Sequence, residues 1–232
     1  MNFLVTAGGT TEKIDSVRNI TNTATGRLGS LTADALAVRP GCEQIFYICA
    51  ANSCIPKTAK AAIVPITDTA SLETAVRKVL TENKISAIVH SMAVSDYRVK
   101  QITRPNGEKI LDTNGKINST EKNILLLLEA TPKIISLFPK LSPESIIVGF
   151  KLLSGVDKIT LIKTAYDFLK NNQCNYIIAN DTQDINADKH IAYLIDKQKN
   201  ITPYNDKQGI ANGIAGVLFS ELNHCQRLDG RV

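Results

Sequence analysis

Two kinds of hydrophobic pattern take turns along this chain. Short runs are apolar without alternation, as in strands buried on both faces. Longer stretches repeat apolar residues every three or four positions, as on one face of a helix. Residues 2–7 (NFLVTA) open the series as a strand. A helix is expected after Gly26, with Leu28, Leu31, Ala35 and Val38 on its inner face and Pro40-Gly41 as its stop. QIFYICA (44–50) and AAIVPI (61–66) read as strands. Residues 68–83 start with cap-forming side chains and repeat Leu72, Val76 and Leu80, which predicts a helix. ISAIVHSMA (85–93) reads as a buried strand and NILLLLE (123–129) as a short apolar segment. Thr131 is placed to cap a helix with Pro132 at its first position. Residues 145–153, 176–180 and 191–195 are further strands. Helices are expected over 157–171, with Ile159, Ile162, Tyr166 and Leu169 inward, and over 207–223, burying Ile210, Ile214, Val217 and Leu218.

Strands alternating with helices predict an α/β fold: a Rossmann-like, open, mainly parallel sheet with helices on both faces. The rhythm fails over 98–122, where Pro105-Asn106-Gly107 and Asn114-Gly115 signal turns, so a protruding flap is expected there. No repeat or low-complexity linker divides the chain, and residues 1–232 read as one domain.

The net charge of +5 suits a small anionic substrate, and no basic run interleaved with aromatics points to nucleic acid. No apolar run has membrane-spanning length and no export signal is seen, so a cytoplasmic protein is expected. The five cysteines show no metal-ligand spacing, and the three histidines are too scattered to suggest a triad. No metal ligand can be named from the sequence.

In such a sheet, ligands sit beyond the carboxyl ends of the strands. The loop GGTTEKIDSVRNITNTATG (8–26) follows the first strand. Gly8 and Gly9 allow a sharp turn, Thr25 and its neighbours supply hydroxyls, and Gly26 leads into a helix whose N-terminus can take an anion. Arg18 can fork a phosphate or carboxylate. The loop is neither GxGxxG nor a Walker loop, and a long polar surface loop is the plain alternative. HSMAVSDYR (90–98) ends a strand at Asp96, which fits a ribose-binding carboxylate or equally a turn former. Lys116 could close over a triphosphate from the flap, although a lone lysine is more often simply solvated. Phe150 could stack on a base or pack in the core, and Asn180-Asp181 ends another strand. From the residues alone, this is a nucleotide-using α/β enzyme with an anionic cosubstrate.

GGTTEKIDSVRNITNTATGRLG followed by MAVSDYR resembles the phosphopantothenoylcysteine synthetase (phosphopantothenate–cysteine ligase) family, in many bacteria the C-terminal half of a bifunctional flavoprotein. The family pattern runs GGTxEPID-VR-I-N-SSG-G, AAVADYR, KIKK, NPDI, GFAAE and AND, and nearly the whole chain follows it in order. The resemblance implies ligation of 4'-phosphopantothenate with cysteine in coenzyme A synthesis. CTP is the co-substrate, an acyl-cytidylate the intermediate, and Mg²⁺ screens the triphosphate. The flavin-dependent half is lacking, so the stand-alone ligases are the nearer likeness and no FMN is implied. A separate decarboxylase would then act on the product. The family is dimeric, one subunit's flap closing its partner's site.

By resemblance, Asn22 contacts the acyl group and Arg18, Thr25 and Gly26 the substrate. Gly8, Gly9, His90, Ser91, Met92, Asp96, Lys116, Pro132, Lys133, Ile134, Ile135 and Phe150 fall on nucleotide-binding positions, and Asn22 and Lys116 take the catalytic roles. Ala24 and Thr25 replace the family serines. Asn118 and Ser119 replace later lysines of KIKK, and Lys163 and Lys170 are the candidates for two family lysines late in the following helix, which align only with gaps. The KLL after Phe150 is similar to the eukaryotic form, whose members use ATP, so the nucleotide stays open. A nicotinamide-dependent reductase would need GxGxxG and an acid after the second strand, where this chain has CAANSC. A non-catalytic nucleotide sensor would need neither Asn22 nor Lys116.

Overall fold

A computed structural model of the chain describes residues 1–110, 115–186 and 189–228. Asn2–Ala7 forms β1, and Phe3 through Ala7 are buried because strands flank it on both sides. The polar loop after it is in part a small antiparallel hairpin, β2 (Thr11–Lys13) with β3 (Asn19–Thr21). Then come α1 (Arg27–Ala37), β4 (Gln44–Ala50), β5 (Ala61–Ile66), α2 (Thr69–Glu82) and β6 (Ala87–His90). The arm follows as β7 (Tyr97–Thr103) and β8 (Leu125–Ala130). A 3-10 turn (Ile134–Leu137) runs into α3 (Phe138–Leu141). The chain continues through β9 (Ile146–Leu153), α4 (Lys158–Asn171), β10 (Tyr176–Asp181), β11 (Ala192–Asp196), β12 (Ile201–Tyr204) and α5 (Lys207–Leu228).

The main sheet has the order β12-β11-β10-β9-β6-β1-β4-β5. The strands from β10 to β5 are parallel, and β11 and β12 join antiparallel at one margin. Side chains of β1 alternate between two cores. Phe3 and Val5 pack with Leu36 of α1 and Ile214 and Leu218 of α5. Leu4 joins Leu72 and Val76 of α2, Phe138 of α3 and Leu169 of α4 on the other face. Burial on both faces is why β1 shows no alternation of polarity. Each fully buried Phe or Leu there contributes about 1.5–3 kcal/mol. Each outermost strand of the sheet carries a proline, Pro65 in β5 and Pro203 in β12.

Asp68 caps α2 by accepting from Ser71 N at 2.8 Å, and Ser71 Oγ accepts from Asp68 N, a closed capping box. Asp157 caps α4 by accepting from Thr160 N at 2.9 Å.

Several expectations are corrected. Val38 lies past the end of α1 and is 81% exposed, and Ile159 in the first turn of α4 is 82% exposed. The inner faces use Ala33, Leu36 and Ala37 in α1, and Leu161, Ile162, Ala165 and Leu169 in α4. Small residues are needed in α1 because a Cβ on Gly29 would lie 2.5 Å from Ala7 Cβ. Thr131 is not a helix cap: its hydroxyl donates to Ser95 O, and the 3-10 turn starts only after Lys133. The strand over 85–93 stops at His90. NILLLLE pairs with β7, so the arm runs from Tyr97 to Ala130, wider than the expected flap. Of its two turn signals, Asn114 lies outside the described residues. No helix among the described residues is long and apolar enough to cross a membrane.

Candidate functional site

Where β1 ends, the backbone doubles back on itself. Gly8 has φ +88° and Gly26 has φ +73°, left-handed values that a side chain disfavours. A Cβ on Gly8 would come 1.8 Å from Ser53 Oγ, and one on Gly9 would come 2.5 Å from the Asn22 carbonyl oxygen. Gly26 then opens α1 with no side-chain cap. Only Arg27 N finds a nearby hydroxyl, Thr25 Oγ1 at 3.4 Å. The first-turn N–H groups of α1 have no intrahelical acceptors and suit an anion.

Beside this turn lies a cavity of about 290 Å³ lined by Gly9, Lys13, Asn19, Asn22, Asn52 and Asp68, among others. Asn22 Nδ2 donates to Ala93 O at 3.0 Å, which fixes the amide, and lies 3.5 Å from Ser95 Oγ. The hairpin is strapped down behind it. Glu12, buried, accepts from Thr69 N and Thr69 Oγ1, and Thr11 N donates to Thr67 O.

A second cavity, about 380 Å³, opens at the carboxyl ends of β6 and β9. His90 and Met92 line it from the end of β6, with Asp96 beyond them. Pro132, Lys133, Ile134 and Ile135 line it from the segment before α3, and Phe150 lines it from β9. His90 Nδ1 is 2.7 Å from Thr6 Oγ1, and its ring stands edge-on to Phe138 at 5.0 Å. Burial lowers its pKa to about 4, so the ring is neutral at physiological pH. Thr10 Oγ1 accepts from Ser95 N at 2.8 Å, and Thr131 N donates to Asp96 O at 3.0 Å. This pins the backbone while the Asp96 carboxylate reaches out and pairs with Lys133, each side chain being 66% exposed. An exposed pair of this kind is weak and can be exchanged for a ligand.

Two lining residues, Phe168 and Asn172, had no signal in the sequence, and Lys151 had one only as the first residue of KLL. Phe168 and Asn172 stand one turn apart at the end of α4, and Asn172 Nδ2 donates to Phe168 O at 2.9 Å. Lys151 Nζ lies 5.3 Å from the centre of the Phe168 ring. They take the place proposed for Lys163 and Lys170, neither of which lines the cavity. Lys170 instead pairs with Asp167 at 3.2 Å.

Other predicted residues lie elsewhere. Ser91 Oγ donates to Thr6 O at 2.8 Å and sits under Gly29 of α1. Asp181 is buried and staples its loop, accepting from Gly155, Val156 and Gln183 N. Asn180 Nδ2 contacts His190 Nε2 at 3.1 Å. Arg18 and Lys116 line neither cavity. Arg18 belongs to the hairpin tip and Lys116 to the arm segment held against it, where Asp15 receives Val17, Arg18 and Ile117 N and forms an ion pair with Arg18. Burial alone would raise the Asp15 pKa, but those backbone donors and the Arg18 side chain hold it down to about 2. Among the described residues, no group of three or more His, Cys, Asp and Glu side chains could hold a metal ion.

The model of the DNA/pantothenate metabolism flavoprotein C-terminal domain family matches residues 1–221. The coenzyme A biosynthesis bifunctional protein CoaBC of Thermococcus kodakarensis is 31% identical over 192 residues, covering 83% of this chain and 44% of that protein. CoaBC of Borreliella burgdorferi is 27% identical over 220 residues, covering 94% and 52%. The chain spans about half the length of the curated relatives it matches. A crystal structure of the DNA/pantothenate metabolism flavoprotein from Streptococcus pneumoniae is 34% identical, with TM-score 0.83, covering 97% of this chain and 99% of that one. The mutant H337A of Cab2 in complex with phosphopantothenate-cysteine shares the fold at 16% identity and TM-score 0.73, covering 96% and 86%.

Proposed function

The chain belongs to the DNA/pantothenate metabolism flavoprotein C-terminal domain family, and on that footing we propose that it ligates 4'-phosphopantothenate to L-cysteine at the expense of CTP. The observation that supports this most is the 380 Å³ cavity. His90, Met92, Asp96, Pro132, Lys133, Ile134, Ile135 and Phe150, all expected at a nucleotide, line it together. The base stacks on Phe150 and the ribose displaces Lys133 from Asp96. The neutral His90 adds no charge to the cavity wall. The N-terminus of α1, beyond Gly26, receives an anionic group of phosphopantothenate.

The pantothenate carboxylate attacks the α-phosphorus and pyrophosphate leaves. The cysteine amine then attacks the acyl carbon and CMP leaves. Both steps are positioning and charge stabilisation, so no nucleophilic side chain is called for. Asn22 has one Nδ2 hydrogen committed to Ala93 O. The other, held only by a long 3.5 Å contact to Ser95 Oγ, turns to the acyl oxygen as negative charge builds there. Lys116 serves the leaving pyrophosphate. Mg²⁺ would screen the charge of the triphosphate, and with no metal-holding cluster among the described residues it would be bound through the nucleotide rather than the chain.

Arg18 and Lys116 stand away from their own chain's cavities, and Tyr97, Leu125, Leu127 and Leu128 on the arm are exposed. A homodimer in which arms are exchanged accounts for both. Static light scattering that found a fully active monomer would remove this part. The cysteine carboxylate of the product suits a separate decarboxylase, and the reaction belongs in the cytoplasm.

A second reading, the same ligation with ATP, is favoured by the KLL that follows Phe150, whose Lys151 and Leu152 line the cavity. Incubation with phosphopantothenate, cysteine and either nucleotide, followed by pyrophosphate assay and mass detection of the amide, tests both. Product from neither nucleotide refutes the ligase.

A further inference from the structure

We propose that Asp15 is a positioning residue whose carboxylate latches the segment carrying Lys116 onto the tip of the β2–β3 hairpin. Asp15 is 1% exposed. Its Oδ1 accepts from Val17 N at 2.9 Å and Arg18 N at 2.8 Å, closing the hairpin turn. Its Oδ2 accepts from Ile117 N at 3.1 Å, across 102 residues of chain, and pairs with Arg18 Nη1. Ser16 N donates to Gly115 O at 3.3 Å, so the flap segment is gripped on both sides of Lys116. Ile117 is buried and Lys116 is exposed between the two anchored residues.

The carboxylate thus has four donors and ties two cations into one unit, Arg18 directly and Lys116 through its neighbours. An ionised carboxylate is needed because all four partners are donors. An amide of the same shape keeps one acceptor oxygen and turns an NH₂ toward Ile117 N–H or Arg18, donor against donor. The consequence for activity rests on the ligase reading, in which Lys116 meets the leaving pyrophosphate; the latch itself does not.

Trypsin cleavage after Lys116 reads the latch without any substrate. Asp15→Asn should speed that cleavage by about tenfold or more, the ratio for losing a charge-assisted hydrogen bond. Cleavage after Lys163, in α4, should be unchanged. Equal cleavage after Lys116 in the parent and Asp15→Asn overturns the latch. If Asp15→Asn does not fold, amide exchange in the parent decides. Protection of Ile117 N–H supports the latch, and exchange at the rate of a free peptide overturns it. In single turnover, Asp15→Asn should slow pyrophosphate release and leave the nucleotide KM unchanged. In a Lys116→Ala background it should add no further loss, whereas a merely structural role would lower the rate in both backgrounds and so overturns the proposal. A latch seen by proteolysis in a chain that ligates nothing would refute the function and leave the latch standing.

Discussion

Gly29→Ala should destabilise the protein even though alanine is the better helix former. In an exposed helix interior the exchange gains roughly 0.5–1 kcal/mol. At Gly29 the new Cβ would lie 2.5 Å from Ala7 Cβ and 2.7 Å from Ser91 Oγ. Neither neighbour can yield. Ala7 Cβ is fixed to the central strand, and Ser91 Oγ is held by its 2.8 Å bond to Thr6 O. Carbon atoms rest at about 3.5–4.0 Å, so α1 must back away from β1 by about 1 Å. Overpacking of this kind costs about 1–3 kcal/mol. A 2.5 Å approach puts the cost in the upper half of that range, so the net loss is about 1–2.5 kcal/mol and Tm falls by roughly 2–10 °C for a chain of this size. Gly216, in α5, is the control, because its Cβ would meet nothing within 4 Å. Gly216→Ala should raise Tm by roughly 1–4 °C. Equilibrium denaturant unfolding and thermal melts of both variants settle the sign. If Gly29→Ala stabilises as much as Gly216→Ala, the close approach of α1 to β1 is wrong, and with it the placement of Gly26 beside Gly8.

Phe150→Ala should weaken nucleotide binding by about 1–3 kcal/mol, the worth of one base on an aromatic ring, while leaving phosphopantothenate binding intact; calorimetry with each ligand checks it, and an unchanged nucleotide Kd rejects the stacking role. Asn22→Asp should slow amide formation by two to three orders of magnitude, about 3 kcal/mol, while pyrophosphate release continues; quenched single turnovers resolving the acyl-cytidylate would show it accumulating, and turnover at the parent's rate rejects the oxyanion role. His90 has a folded pKa of about 4 against an ordinary 6.5, so from pH 6.5 down to 4 the unfolded chain takes up a proton that the folded chain refuses. Its contribution is therefore full above pH 6.5 and falls with pH by about 3 kcal/mol in all. His90→Gln should flatten this part of the stability profile, and parallel profiles for parent and variant would contradict the neutral ring.

Strands such as β1 and β10 were legible because burial on both faces writes an unbroken apolar run. The hairpin β2–β3 was not, since each strand is three residues long and polar. β12 was missed for a related reason. It is four residues long, mostly exposed and contains Pro203, so despite its strand-favouring Ile201, Thr202 and Tyr204 it shows no buried periodicity. Val38 and Ile159 misled because helical spacing cannot say where a helix ends or which turn reaches the sheet. Thr131 offered a good cap by local rules, but Ser95 O captured its hydroxyl from elsewhere in the chain. At the site, the residues found by motif are those on strand ends, such as His90 and Phe150, and those in short contiguous runs such as Pro132 to Ile135. Asp15, Phe168 and Asn172 escaped because what brings them to the site, beyond their local bonds, is set by tertiary proximity. Asp15 meets Ile117 only once the arm folds back.

Pro65 and Pro203 give the two margins of the main sheet a common property. A strand arriving from another molecule would find, at either margin, a rung with no N–H to offer. Side-by-side growth of the sheet into fibres is thereby discouraged at both ends. The arm has no such guard. Its β7–β8 ribbon stands apart from the main sheet and leaves Leu125 and Leu127 uncovered. Edge-to-edge pairing is thereby hindered along the main sheet, whereas the arm keeps exposed leucines and has no proline in either strand. Under crowding, the margins of the main sheet are therefore poorer templates for a second copy than the arm is.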